Sequence, residues 1–246
     1  MPGLILITAL GCWEWAARRE IISTLFFPAP STIVRTLIRS IMDGELLNHM
    51  GATLWRVLLA FAIGGLPALI IGLTMGWSRR LQAGLDPFIA AIHPIPKIAL
   101  LPLAMIFFGI GETSKILTVA AAAFFPMLIN CMAGVQQISA IHFEVAKNFR
   151  ANPLRVFTRV VWPGSLPMVI TGMRVALNIA LVVTIGIELI SAQKGLGVMI
   201  WFGWETMRTE ELYAGLIAIS ALGIGFNLFL EKVKIYLVPW KQTHGS

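Results

Sequence analysis

Charged residues are scarce in this 246-residue chain, where Asp, Glu, Lys and Arg together make up 13% of the sequence. An ordinary soluble domain has about 25%. Mean hydropathy is +0.82, and 57% of the residues are hydrophobic. Because a soluble core cannot bury so much apolar surface, the composition excludes an ordinary water-soluble globular protein and predicts an integral membrane protein.

Cysteine is nearly absent as well. Cys12 and Cys131 are the two cysteines, and both fall inside apolar runs. They provide neither a disulfide framework nor metal-ligand spacing. The sequence also lacks a histidine cluster or a nucleophile–base set, which argues against a membrane enzyme. The net charge of +7 requires no nucleic-acid partner, because basic residues facing anionic membrane lipid explain it.

Long apolar runs are what the sequence does contain. Six segments reach or approach the roughly 20 residues that a helix needs to cross a membrane. They are residues 2–17, 53–76, 87–108, 116–135, 166–190 and 212–231. Because a lone spanning segment must pair its own backbone groups, we predict an all-α integral membrane protein, a single domain over residues 1–246. It has about six transmembrane helices, a five-helix core plus a short first span.

The first span is the weakest of the six, since Glu14 lies between Trp13 and Trp15 near its end. Such residues suit a membrane interface. A signal peptide, a lipoprotein signal ending at Cys12, and a chain that starts upstream of Met1 are the alternatives. The absence of Lys or Arg before the apolar run disfavours the two signals.

Basic residues near span ends favour the cytoplasmic side and so predict orientation. With the N-terminus inside, nine Lys or Arg residues fall in cytoplasmic segments and six in outer loops, without counting Lys115, which adjoins the fourth span. The nine are Arg79, Arg80, Lys147, Arg150, Arg155, Arg159, Lys232, Lys234 and Lys241. The six are Arg18, Arg19, Arg35, Arg39, Lys194 and Arg208. The bias is modest, and the inverted topology is the alternative.

Residues 28–43 predict an amphipathic helix that lies on the membrane surface, and a packing helix without a function of its own is the alternative. Ile33, Leu37 and Ile41 recur every four residues, and we expect Ser31 or Thr32 to cap the helix. Elsewhere, Gly72 and Gly76 form a G-x-x-x-G pair, which is typical of a helix contact.

Residues 136–165 form a basic island between two apolar runs. One predicted helical face carries Ile138, Ile141, Val145 and Phe149, and the remainder carries Glu144, Lys147 and Arg150. The Asn152-Pro153 step is expected to end this helix, and Pro153 to begin a second short helix. An apolar stripe with flanking charges suits insertion into a groove on a partner protein. A solvated loop between two spans fits the same pattern.

The island resembles the coupling loop of ABC-importer permeases, which has an E-A-A triad, a glycine and then I-x-L-P. The matching residues are Glu144-Val-Ala-Lys-Asn-Phe-Arg150 and Val160-Val-Trp-Pro163. From about Phe27 to Trp240 the chain is similar to the nitrate/sulfonate/taurine branch of that family. Further matches are Phe27-Pro-Ala-Pro-Ser31, Asp86-Pro87, His93-Pro-Ile-Pro96, Leu101-Pro-Leu103, Phe108-Gly-Ile-Gly-Glu-Thr-Ser-Lys-Ile116, and Glu188 followed by Gly195-Leu-Gly197.

This resemblance implies a multi-pass permease of the bacterial inner membrane. Two copies pair with two cytosolic ATPase subunits, and an extracytoplasmic binding protein delivers a small anionic solute such as nitrate, a sulfonate or taurine. ATP and Mg bind to the ATPase, and this chain needs no cofactor and is not an enzyme. The sequence agrees in lacking a G-x-x-x-x-G-K-[ST] phosphate loop. Residues 141–163 would form the coupling loop, with ATPase contacts at Glu144, Val145, Ala146, Lys147, Asn148, Phe149, Arg150 and Pro153.

The chain departs from the family pattern at three positions. Arg150 stands where the family has glycine, so either Asn152 takes the strained backbone conformation or Arg150 adds a salt contact to the ATPase. His93 replaces an arginine, and Lys97 replaces a small or apolar residue. We expect both to lie at a cavity mouth on the transport pathway, beside the prolines that interrupt the third span.

Charged residues inside spans are costly and therefore functional candidates. Glu188, the third pathway candidate, lines the pathway, braces an outer gate or is structural. Arg56 and Arg174 are expected to snorkel from span ends. A secondary transporter with proton coupling at Glu188 or Asp86 is one alternative. A permease for a pyrimidine precursor, an amino acid or a metal chelate is another.

Overall fold

The computed structural model describes residues 2–239, and over these residues the chain is helical without a β-strand, which confirms the all-α prediction. The helices are α1 Pro2–Arg18, α2 Pro30–Met42, α3 Glu45–Ala60, α4 Leu66–Trp77, α5 Arg79–Ile92, α6 Leu101–Phe108, α7 Glu112–Gln136, α8 Ala140–Asn148, α9 Pro153–Val156, α10 Trp162–Ser191, α11 Leu196–Glu205 and α12 Thr209–Leu237. Trp240 and Lys241 lie outside the described residues.

Four helical stretches within residues 2–239 are long and apolar enough to cross a membrane. They are Glu45–Trp77, Glu112–Gln136, Pro153–Ser191 and Thr209–Leu237. A fifth span exists if Arg79–Ile92 and Lys97–Phe108, which are bent by 86° from one another, count as one. The predicted first span forms α1, a helix of 17 residues that falls outside this set.

Pro94 and Pro96 interrupt the third span, as the sequence predicts, whereas Pro102 lies in the first turn of α6. The chain is helical from Arg79 to Ile92, breaks, and becomes helical again at Lys97. The break contains Pro94 and Pro96. Because a residue before proline avoids the α region and proline has no N–H to donate, two prolines separated by one residue end the helix.

The chain divides into two compact units. The first comprises residues 1–55 and 185–222, and the second comprises residues 56–184 and 223–246. In the first unit, α11 and α12 contribute to a buried apolar cluster of Leu46, Leu196, Met199, Ala214 and Ala218.

In the second unit, α4 packs closely on α7. A Cβ at Gly72 would lie 2.5 Å from the Leu128 carbonyl oxygen, and one at Gly76 would lie 2.7 Å from the Met132 carbonyl oxygen. The G-x-x-x-G pair is therefore a helix contact, as its spacing predicts.

Within residues 2–239, two π-helical segments interrupt the long helices. Phe61–Gly65 joins α3 to α4, and Phe157–Val161 joins α9 to α10. A second helix begins at Pro153, as predicted, but the prediction that it is short is wrong, since the helical stretch continues to Ser191. The end of the island is thus continuous with a helical stretch of 39 residues.

The amphipathic helix at 28–43 is present as α2, but its predicted cap is wrong. Ala29 is the N-cap, and Pro30 occupies the first turn. Ser31 contacts α1 instead, donating its hydroxyl to Glu14 Oε1 at 2.7 Å and its backbone N–H to Glu14 Oε2 at 2.9 Å. Proline at the first helical position leaves no N–H to be capped there, which reduces the need for a side-chain cap.

Candidate functional site

Helix α8 presents an apolar stripe to its surroundings. Ile141, Val145 and Phe149 follow one another at intervals of four residues, so they lie on one face. Their exposed fractions are 60%, 48% and 83%. Ile138, which the sequence places on the same face, is half-buried, and a Cβ at Gly164 would lie 2.8 Å from its Cδ1. Of the four residues on the predicted face, Ile138 therefore packs against the chain, and the other three are exposed.

The base of α8 rests against α4 and α5. A groove of about 550 Å³ is lined there by Gly76, Trp77, Arg79, Gln82, Val135, Gln136, Ile138, Ala140 and Phe143. Gln136 donates its amide to Gln82 Oε1 at 3.1 Å. The Trp77 and Phe157 rings lie with their centroids 6.1 Å apart. These contacts fix the start of α8 and the start of the following helix.

The turn after α8 is formed by Arg150 itself. Arg150 has φ +49°, in the left-handed region. The Ala151 N–H donates to the Ala146 carbonyl, and the Arg150 N–H donates to the Lys147 carbonyl, both at 2.9 Å. This pair of bonds is a Schellman motif, which ends a helix with a left-handed residue that is usually glycine. Arg150 thus occupies the glycine position without changing the turn, at a cost of about 1 kcal/mol.

The hypothesis that Asn152 takes the strained conformation is wrong. Asn152 has φ −68° and ψ 157°, an ordinary extended conformation. Its side-chain oxygen accepts the Arg155 N–H at 2.8 Å. Asn152 is therefore the N-cap of α9, and Pro153 occupies the first turn. The first helix of the island ends at Asn148, before the Asn152-Pro153 step that the sequence had suggested.

His93 and Lys97 lie together at the break between α5 and α6. Lys97 Nζ donates to the carbonyl oxygens of Ile92 at 2.9 Å, His93 at 3.0 Å and Ile95 at 2.7 Å. A cation near the last carbonyls of a helix is favourable. Both side chains also contact Phe125 of α7, the ammonium at 4.6 Å and the imidazole at 5.5 Å from the ring centroid.

Glu188 is 1% exposed and belongs to the first unit. The Thr53 hydroxyl lies 2.9 Å from each of its carboxylate oxygens, and the Gly197 N–H donates to Oε2 at 2.9 Å. Thr53 Oγ1 also accepts the Leu196 N–H at 2.9 Å. The carboxylate therefore holds the first turn of α11, where the helix dipole favours negative charge.

Two features of the turn at 195–197 complete this cluster. Gly195 has φ +139°, and a Cβ there would overlap the Glu188 carboxylate. His49 Nδ1 lies 2.9 Å from the Gly195 carbonyl oxygen and 3.1 Å from its amide nitrogen. Sequence reasoning missed His49 and Thr53, although their spacing of four at the start of a predicted span was a usable signal. We call His49, Thr53, Glu188 and the 195–197 turn the Glu188 cluster.

The two arginines expected to snorkel are paired instead. Arg56 is buried and donates to both oxygens of Glu112, from Nε at 2.6 Å and from Nη2 at 2.9 Å. Lys115, also buried, donates to the same carboxylate at 3.1 Å. Arg174 donates to Glu231 at 2.7 Å. Arg56 is thus a buried cation whose partner, Glu112, has a half-exposed carboxylate.

Among the described residues, no group of three or more His, Cys, Asp or Glu side chains is arranged to hold a metal ion. The charged groups that are buried in residues 2–239 contact other side chains and backbone groups of the chain. The candidate site therefore consists of ion-paired side chains and the exposed apolar face of α8.

Comparison with known proteins agrees with this description. Residues 68–241 match the family described as binding-protein-dependent transport system inner membrane component. The taurine transport system permease protein TauC of Escherichia coli is 34% identical over 98% of this chain and 88% of its own length. A putative aliphatic sulfonates transport permease protein, SsuC of Bacillus subtilis, is 31% identical over 99% of this chain and 89% of its own length.

A solved structure shares the fold. The methionine ABC transporter MetNI contains a chain that superposes with a TM-score of 0.70 at 16% identity. The match covers 80% of this chain and 97% of that one. This chain therefore belongs to the binding-protein-dependent transport system inner membrane component family, as a multi-pass inner-membrane permease subunit of an ABC importer whose ATPase is a separate subunit.

Proposed function

We propose that this permease imports a small sulfonate such as taurine or an alkanesulfonate. The observation that carries the proposal is similarity over nearly the full length to permeases for taurine and for aliphatic sulfonates. The functional assembly would contain two copies of this chain, two ATPase subunits that bind ATP and Mg, and an extracytoplasmic binding protein. The chain itself needs no cofactor.

Helix α8 is the proposed ATPase contact. Its exposed stripe of Ile141, Val145 and Phe149 is flanked by exposed charged residues. An apolar helix face with flanking charges is the pattern by which a helix occupies a groove on another protein. Phe149 would be the central anchor, because buried aromatic side chains dominate interface energies. Glu144, Lys147 and Arg150 would contribute charge complementarity at the rim.

The path from the ATPase into the membrane would begin at the same place. The Schellman turn at Arg150 and the Asn152 cap join α8 tightly to the helix that starts at Pro153. That helix runs to Ser191, so movement of α8 would displace a span rather than a loop. Closure of the ATPase dimer on ATP would in this way change the access of the transport pathway.

His93 and Lys97 remain the proposed anion-facing residues of the pathway. Both lie at a proline-broken helix, where cavities commonly border a binding site. All three Lys97 hydrogen-bond contacts are with backbone carbonyls, so its charge would attract an anion from a fixed position. Glu188 is proposed to brace the outer gate, because it accepts hydrogen bonds from Thr53 and from the Gly197 N–H in the first turn of α11.

Reconstituted transport tests the substrate. The permease, its ATPase and its binding protein would be placed in vesicles, and uptake of labelled taurine and ethanesulfonate would be measured with and without ATP. We expect ATP-dependent uptake that nitrate, a pyrimidine precursor and an amino acid fail to inhibit at equal concentration. Inhibition by one of these would reassign the substrate. Uptake driven by a proton gradient without the ATPase would establish a secondary transporter.

A charge reversal tests the coupling helix. Glu144→Lys is expected to reduce both retention of the ATPase during purification and ATP-dependent uptake. Lys194→Glu, in an outer loop by the predicted orientation, is the matched control and should leave ATPase retention unchanged. Normal retention and normal transport in Glu144→Lys would contradict a role for this residue in coupling.

A further inference from the structure

A groove lies between the first half of α10 and the last turns of α12, within the second unit. It has a volume of about 510 Å³ and is lined by Pro167, Met168, Thr171, Glu231, Lys234, Ile235 and Val238. Small-molecule sites typically occupy about 300–1,000 Å³. By the orientation that the basic residues predict, this end of the two helices faces the cytoplasm.

The groove extends into the membrane along both helices. Pro167 and Arg174 are seven residues apart on α10, which corresponds to about 10 Å along a helix. Arg174 donates to Glu231 on α12 at 2.7 Å, so this pair marks the inner end. Pro167 and Val238 line the other end. The lining residues on α12, 231–238, therefore extend over about two helical turns.

Glu231 and Lys234 are the charged residues that line the groove, and Arg174 lies beside the lining, in contact with Glu231. Glu231 accepts from Arg174 and, at 3.4 Å, from Lys234. One carboxylate therefore faces two cationic side chains. Within residues 2–239, the buried Arg174 Nε has no hydrogen-bond partner, and an N–H without an acceptor is costly. An incoming oxygen anion would supply an acceptor and balance the charge.

We infer that this groove binds the headgroup of an anionic phospholipid from the cytoplasmic leaflet. The phosphate contacts Lys234, and Arg174 gains an acceptor through a small side-chain rotation. The acyl chains continue along Met168 and Ile235, which line the same groove. Basic pockets between spans on the cytoplasmic side are suited to anionic lipid headgroups. Nothing in this assignment depends on which solute the permease transports.

Native mass spectrometry of the assembled permease and ATPase tests the inference, with phosphatidylglycerol or phosphatidylcholine titrated into the detergent. Lys234→Gln is expected to lower phosphatidylglycerol affinity about fivefold, the effect of one basic residue at a lipid surface. Lys232→Gln is the matched control, since Lys232 lies on the same helix and does not line the groove. It should change affinity by less than about twofold.

A steric variant provides an independent measurement. Met168→Trp would fill the groove without altering charge, and should reduce phosphatidylglycerol binding while phosphatidylcholine binding stays the same. Equal losses in Lys234→Gln and Lys232→Gln would show general surface attraction and overturn the inference. Displacement of the lipid by excess inorganic phosphate or methanesulfonate would also overturn it, by showing a site for soluble anions.

Discussion

The Glu188 cluster and helix α8 differ in how the chain accommodates their side chains. At Glu188, hydrogen bonds within the chain satisfy a buried carboxylate, a hydroxyl and two backbone N–H groups. On α8, three apolar side chains are exposed. The cluster is therefore stabilised by the chain itself, whereas α8 carries apolar surface that another protein would cover. Substitutions in the first region should change stability, and substitutions in the second should change assembly.

The largest expected effect is at Gly195. Gly195→Ala adds a strained positive φ and an overlap with the Glu188 carboxylate, so we expect a loss of about 3 kcal/mol or more. Gly44→Ala is the control, because Gly44 also has positive φ, at +77°, but a Cβ there would have no heavy atom within 4 Å. It should cost about 1 kcal/mol. Thermal unfolding in detergent, followed by size-exclusion recovery, measures both, and equal losses would contradict the packed cluster.

The second effect concerns α8. Phe149→Ala is expected to weaken ATPase binding at least about tenfold, with little change in the thermal midpoint, since the ring is 83% exposed. Ile110→Ala, at a position that is 88% exposed elsewhere in the chain, is the control and should leave ATPase binding unchanged. Binding is measured by pull-down across an ATPase titration. A fall in stability without a fall in binding would place Phe149 among the packing residues.

The third prediction concerns Lys97 at the bend between α5 and α6. This side chain bonds to backbone carbonyls and is also proposed to face the transport pathway. Lys97→Ala removes the donor to three carbonyls and should cost about 1–2 kcal/mol of stability. We also expect lower transport while the ATPase still co-purifies. Lys97→Arg, which keeps the charge, should recover part of the transport. Unchanged transport in Lys97→Ala would remove this residue from the pathway.

The smallest effect is at Arg150. Arg150→Gly should raise stability by about 1 kcal/mol, because glycine adopts positive φ without strain. Arg150→Ala removes the same charge and retains the strain. If both variants bind the ATPase less tightly, the guanidinium contributes a contact. If neither variant binds the ATPase less tightly, the Arg150 side chain contributes nothing to ATPase binding.

The sequence predicts the helices and the face of α8 well, because both depend on local periodicity. The prolines at the break also predict an interrupted third span, although they do not predict the 86° angle between its two halves. Contacts between residues that are distant in sequence could not be predicted in this way. Thr53 meets Glu188, and Arg56 meets Glu112, but no local pattern specifies which carboxylate a buried cation will meet. Ser31 is likewise of a residue type that often caps helices, but its hydroxyl donates to the Glu14 carboxylate instead.

The π segment at Phe157–Val161 has a consequence for evolution by insertion and deletion. Trp162 N–H bonds to the Phe157 carbonyl five residues back, so this turn holds one residue more than an α-turn. Removing one residue there would yield a regular helix whose two halves keep their orientation. Removing one residue elsewhere in the span would rotate everything beyond it by about 100°. Single-residue length differences among homologous permeases are therefore expected to be concentrated at this turn.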